Sequence, residues 1–243
     1  MVEESSRAAS ICQLLDETYR RPDLGNLADP VDELIYILLS TMTTEVNYQR
    51  SFAALQARYQ SWEGVLRASV EEVEATISTG GLAPTKARNI QALLQRILHD
   101  WGALDLSFMH AWPTVEIRRY LVGLPGVGYK AATCVLAYSF SRDVCPVDTH
   151  TYRTAIRLGV VPLDAPEIGW RAHIRLEGAL PIGERLSFHI NAVAHGRQRC
   201  FLDRPRCDGC PVVHYCLAPA AGRYSRRDGP LPSIALDGDP KRA

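Results

Sequence analysis

Cys200, Cys207, Cys210 and Cys216 follow the pattern C-x6-C-x2-C-x5-C within 17 residues near the C-terminus. Four soft thiolates at that density suit a metal centre, either a tetrahedral zinc or an iron–sulfur cluster. Structural zinc sites usually pair two tight C-x2-C motifs across a longer loop. Here only the middle spacing is tight, and the wider outer gaps suit the perimeter of a [4Fe–4S] cluster. Zinc and disulfides are the alternatives, although disulfides require an oxidising compartment and nothing in the sequence indicates one.

Two more groupings carry chemistry. Leu124-Pro125-Gly126-Val127-Gly128 places two glycines one residue apart, which allows positive φ and a tight turn. Amides of such a turn, with a helix N-terminus behind them, can cradle an anion. In a nucleic-acid-binding protein that anion would be a backbone phosphate. A plain helical corner is the structural alternative. Lys130 follows at once, and Asp148 comes 18 residues later in Val147-Asp148-Thr149-His150. A lysine in the first turn of a helix opposes the macrodipole; in a desolvated setting its amine becomes a nucleophile near neutral pH. Asp148 is also an obvious N-cap, a role worth about 1 kcal/mol.

The elements that must position these groups read as helices. Residues 31–41 are apolar nearly all round, as in a buried central helix. Amphipathic or apolar helical stretches are expected at 46–59, 71–78, 85–100, 113–122, 129–141, 149–158, 166–180 and 184–196. Thr85 is the expected cap of the helix that begins near Lys86. Gly80-Gly81 and Pro84 mark connections, strand-like alternation is scarce, and the fold class is all-α. The first ten residues and a tail over 219–243, rich in Ala, Gly, Arg, Pro and Asp, carry no periodic pattern and read as loose.

Composition sets bounds. At 243 residues the chain can bury a proper core in one or two domains. Basic and acidic residues balance at 27 each, so the molecule as a whole does not attract polyanions. No long apolar run or signal-like N-terminus occurs, and seven cysteines, an odd number, fit a reducing compartment. These features imply a soluble, cytoplasmic protein.

Taken in order, LPGVG, Lys130, VDTH, His195-Gly196-Arg197 and the cysteine quartet resemble endonuclease III, the helix-hairpin-helix DNA glycosylase family with an iron–sulfur cluster. The resemblance spans about residues 11–216 and includes LLSTMTTEV at 38–46 and GLAPTKARNI at 81–90. It implies a six-helix barrel over 23–142 and a cluster domain from 1–22 with 143–218, with a cleft between them. It further implies a bifunctional DNA glycosylase and abasic-site lyase of base-excision repair. Such an enzyme removes oxidised pyrimidines from duplex DNA. Lys130 would attack C1′ of a flipped-out nucleotide, Asp148 would assist electrostatically, and the Schiff base would permit β-elimination. Gly126, Val127 and Gly128 would offer amides to a phosphate, and Arg204 and Arg206 of the cluster loop would contact the backbone. Cys200, Cys207, Cys210 and Cys216 would hold the [4Fe–4S] cluster. The partner would be double-stranded DNA with damaged pyrimidines or abasic sites, met by a monomer in a bacterial-type, nucleoid-associated setting.

Departures from the family pattern matter. Tyr129 replaces the usual basic residue before the lysine. Met42 stands where a glutamine commonly enters the DNA gap, while Leu82 keeps the type of the second wedge position. These changes admit a catalytically weak or inactive DNA-binding paralogue. Adenine DNA glycosylase, of the same fold, is a further alternative, but its chemistry uses a glutamate general acid and no lysine nucleophile.

Overall fold

A computed structural model of the protein describes residues 2–162 and 169–218. The tail expected at 219–243 and the start of the helix expected at 166–180 lie outside the described residues. Eleven α-helices run through the described chain: α1 Val2–Tyr19, α2 Pro30–Ser40, α3 Glu45–Tyr59, α4 Trp62–Arg67, α5 Val70–Thr76, α6 Ala83–Trp101, α7 Thr114–Gly123, α8 Tyr129–Tyr138, α9 Thr149–Arg157, α10 Trp170–Ala179 and α11 Arg185–Gln198. Short 3-10 turns supplement them, and the described residues contain no strand. None of these helices is long and apolar enough to cross a membrane. The chain divides into two compact units, one from Gly25–Arg142 and the other from the described parts of Met1–Leu24 and Asp143–Ala243.

The unit of Gly25–Arg142 is built around α2. Asp29 caps it by accepting from the Val31 and Asp32 amides, and Pro30 occupies the first turn, where its missing N–H costs nothing. Val31, Leu34, Ile35, Leu38 and Leu39 are buried on different sides of the helix, because α3, α6 and α8 all pack against it. The helix over 62–67 carries too short an apolar pattern to be anticipated, and Ser61 starts it by accepting from Gly64 N. Helix α6 begins at Ala83, not near Lys86. Its N-cap position is Leu82, Pro84 lies in the first turn, and no side chain caps it. Thr85 therefore sits inside the helix, since a proline at the start already removes one donor that a cap would satisfy.

The other unit packs α11 against α9 and α1 around Ile11, Leu15, Leu158, Leu176 and Phe188. Here the expected looseness of the first ten residues is corrected, because α1 starts at Val2. Ala8, Ile11, Cys12 and Leu15 recur at helical spacing and are buried. Their burial stabilises a helix whose polar N-terminal half has weak intrinsic preference. Asp16 fastens α1 to α11 by accepting from Ser187 Oγ and Asn191 Nδ2, both at 3.0 Å. The Arg21 guanidinium, followed by those donors, holds its carboxyl well below the usual carboxylate range.

Candidate functional site

The hairpin between α7 and α8 needs only one of its glycines for backbone reasons. Gly126 has φ +75°, and a Cβ there would lie 2.9 Å from the Asn89 side chain. Gly128 has ordinary extended geometry, φ −90° and ψ 174°, and a Cβ would meet nothing within 4 Å. The Val127 side chain is fully buried, and its N–H closes the turn onto Leu124 O at 3.2 Å. The Val127 N–H is thus spent inside the turn, with its side chain as the anchor.

Lys130 is the second residue of α8 and is half-buried. In the same unit, Glu33 of α2 has no exposure at all and interacts electrostatically with Lys130. The Glu33 carboxylate accepts from the Leu27 amide at 2.8 Å and from Asn26 Nδ2. Desolvation pushes its carboxyl up to about 7, opposed by those hydrogen bonds and by Lys130. A charged residue immediately before the apolar Leu34–Leu39 run was a visible signal, but the periodic pattern alone could not pair it with a lysine. Tyr129 carries Arg118 of α7 over its ring at 5.4 Å, with Nη1 donating to the hydroxyl at 3.4 Å. A cation beside position 129 is therefore supplied by the neighbouring helix.

Met42 and Leu82 are both exposed, at 82% and 54%, and both adopt left-handed backbone, with φ +52° and +54°. Neither conformation is free for a non-glycine residue.

In the other unit, Asp148 is the N-cap of α9 and accepts from Thr151 N at 2.7 Å. The capping role anticipated for it is present. Arg153 and Arg157, one turn apart on α9, bind the start of the cysteine segment, and the sequence pattern did not single them out. Arg153 Nε donates to Cys200 O at 2.8 Å. Arg157, only 3% exposed, donates to Cys200 Sγ at 3.1 Å, Phe201 O at 2.7 Å and Leu202 O at 3.0 Å. Two arginines at i and i+4 on a helix with an otherwise buried face were the available clue.

All seven cysteines are free thiols. Cys200, Cys207 and Cys216 are close enough to Cys210 to act on it electrostatically, and burial first, then these neighbours, raise its thiol above the ordinary value. Among the described residues no group of three or more His, Cys, Asp or Glu side chains is drawn together to hold a metal ion. The four thiols, with the Arg157 guanidinium donating to one sulfur, are soft donors of the kind a thiolate-bound group takes, although these side chains are not gathered into such a site here. Between Cys200 and Cys207, Arg204 and Arg206 are exposed, and Arg206 lies over the Phe201 ring at 5.3 Å. Arg197, Arg199 and Arg206 line one surface hollow; Arg204 stands apart from it with φ +57°.

Residues 35–174 match the HhH-GPD superfamily base excision DNA repair protein family. The chain belongs to this family. Among its relatives is an Arabidopsis thaliana protein assigned to the DNA glycosylases, 34% identical over 84% of this chain and 71% of the relative. Endonuclease III of Rickettsia conorii is 31% identical over 79% of this chain and 90% of its own length. The fold is similar to that of a trapped endonuclease III–DNA covalent intermediate, with TM-score 0.76 and 27% identity over 88% of this chain and 95% of that one. The chain is thus an endonuclease III-like, all-helical HhH-GPD protein, as its sequence motifs imply.

Proposed function

We propose that the chain is a bifunctional DNA glycosylase and abasic-site lyase that removes oxidised pyrimidines from duplex DNA. The observation that carries this reading is Lys130 itself. It is a half-buried residue at the start of the helix leaving the hairpin, within electrostatic reach of the buried Glu33 carboxyl, in a chain of this family. Its neutral Nζ attacks C1′ and loses a proton as the base departs with the glycosidic electron pair. The C1′–O4′ bond then opens, O4′ taking the electron pair and a proton. The resulting iminium acidifies the 2′ proton, whose loss expels the 3′ oxygen as the C3′–O bond breaks. The relative trapped as a covalent intermediate with DNA supports such a route. Asp148 contributes negative charge as the sugar becomes cationic. The Gly126 and Gly128 amides, backed by Val127, hold a phosphate, and Arg204 and Arg206 add backbone contacts. Met42 and Leu82 enter the space left by the flipped nucleotide.

Cys200, Cys207, Cys210 and Cys216 would hold a [4Fe–4S] cluster, which when bound supplies a rigid structural tether. With Arg153 and Arg157 gripping residues 200–202, it would shape the loop bearing Arg204 and Arg206. The protein works as a cytoplasmic, nucleoid-associated monomer.

Borohydride trapping tests the reading. Duplex DNA with thymine glycol or an abasic site should give a covalent adduct that disappears in Lys130→Ala. Asp148→Asn keeps an acceptor for Thr151 N, so its stability should change by less than about 0.5 kcal/mol while turnover collapses. Tyr129 and Met42 favour a second reading, a DNA-binding paralogue with slow or no turnover; tight binding without any adduct would establish it and sink the first.

A further inference from the structure

Two features of the Gly25–Arg142 unit lack a local explanation. Met42 and Leu82 expose large apolar side chains on left-handed backbone, a conformation that persists only where the surroundings over-determine it. Lys86, in the first turns of α6, is only 4% exposed. Burial makes its ammonium less favourable than in water. An apolar residue of similar length would fill the same space without that cost, so the charge calls for a role.

The hydrogen bonds connect the two. Lys86 Nζ donates to Leu39 O at 2.8 Å and to Gly80 O at 2.8 Å. Leu39 lies three residues before Met42, at the end of α2, and Gly80 lies two residues before Leu82, in the turn entering α6. Both acceptors are uncharged carbonyls at the ends of elements, where backbone oxygens have few helical partners. The two turns also meet directly. A Cβ on Gly81, φ +66°, would lie 3.6 Å from Met42 O, and at Gly80 it would lie 2.8 Å from Ser51 Oγ. Ser51 Oγ in turn lies 3.4 Å from Ile77 O and 3.3 Å from Thr79 Oγ1, which fastens the second turn to α3.

We propose that Lys86 is a positioning residue that clamps the two turns together and so sets the spacing between the Met42 and Leu82 side chains as a paired apolar wedge for DNA. The ammonium is suited to this task because one tetrahedral nitrogen can donate to two carbonyls from different turns at once. Apolar side chains inserted at a base step must match the gap they fill, and misplacement by about 1 Å can cost on the order of a hundredfold. The proposal rests on the reading that Met42 and Leu82 enter the DNA, and it does not depend on the lysine chemistry of Lys130.

The test uses the full-length protein and duplex DNA carrying a tetrahydrofuran abasic analogue opposite 2-aminopurine, which cannot form a Schiff base. Anisotropy reports affinity, and 2-aminopurine fluorescence reports unstacking opposite the site. Lys86→Met, with the charged donor removed and an unbranched apolar stem retained, should lose about tenfold in affinity and most of the fluorescence rise. In a Met42→Ala/Leu82→Ala background the same change should have no further effect, because the clamp acts only through those tips. An equal loss in both backgrounds would show a general structural or electrostatic role and overturn the proposal. So would Lys86→Met behaving as the parent, or Met42→Ala/Leu82→Ala binding as tightly as the parent. Should Lys86→Met not fold, Lys86→Arg provides the same cycle, since its planar fork keeps the charge but alters the donor spacing. Failure of borohydride trapping would sink the lyase reading alone and leave this measurement intact.

Discussion

Burial pushes the Glu33 carboxyl up to about 7, against an ordinary value of 4.5, and the Lys130 ammonium is one of the groups opposing that rise. The direction fixes the sign of a pH effect. Between those two values the folded chain keeps a proton that the unfolded chain has released. The stability associated with Glu33 is therefore complete below about pH 4.5 and falls, by on the order of 3 kcal/mol, as pH rises through 7. Glu33→Gln removes the titration. Its carbonyl can still accept from Leu27 N, and a rotated Asn26 amide can accept from its new donor. Urea melts across this range should show the parent losing stability relative to Glu33→Gln toward neutral pH. A constant difference between the two would refute the assignment. The same substitution bears on function, since a buried anion near Lys130 favours its charged form, and removing that anion should lower the pH at which the amine becomes nucleophilic.

At the scale of the element, the hairpin separates two uses of glycine. Gly126 combines positive φ with a close approach to Asn89, so Gly126→Ala should destabilise the fold by about 2 kcal/mol. Gly128 has neither constraint. Gly128→Ala should leave the melting temperature unchanged and weaken duplex binding, because its methyl would stand over an amide needed by a phosphate. Equal affinity for the Gly128→Ala variant and the parent would remove the hairpin from the DNA interface. Elsewhere the elements were legible to differing degrees. The apolar stretch read at 31–41 was unmistakable because the helix is buried on several sides. Helix α4 is too short for its period to register, and the start of α6 depends on a left-handed Leu82 that no capping residue announces.

For the whole molecule, 27 basic and 27 acidic residues leave no net attraction for DNA, so binding has to rely on local concentration of charge. Arg206, with Arg197 and Arg199 in the same hollow, forms such a concentration, and Arg204 adds an exposed charge elsewhere on the loop. Replacing both Arg204 and Arg206 by alanine should reduce the slope of log affinity against log salt by about 2, roughly 0.9 for each phosphate that is no longer neutralised. Titrations between about 50 and 200 mM salt would measure it, and an unchanged slope would place these arginines off the DNA.

The residues with a fixed chemical vocabulary were readable directly: four thiols at characteristic spacing, a glycine hairpin, a lysine after it and an aspartate at a helix start. Their order along the chain was enough to imply the family, and Asp148 capping α9 followed from local hydrogen-bonding preference alone. Tertiary structure decided what the chain order does not encode. Glu33 within electrostatic reach of Lys130, Arg118 over Tyr129, Arg157 on Cys200 Sγ and Lys86 between two turns all join elements distant in sequence or turned by a loop. Side-chain periodicity reports which face of a helix is buried, but a buried charge finds its partner only when a second element arrives. That is why the cysteine quartet, the lysine and the aspartate could be named from sequence, while the groups that tune and hold their surroundings could not.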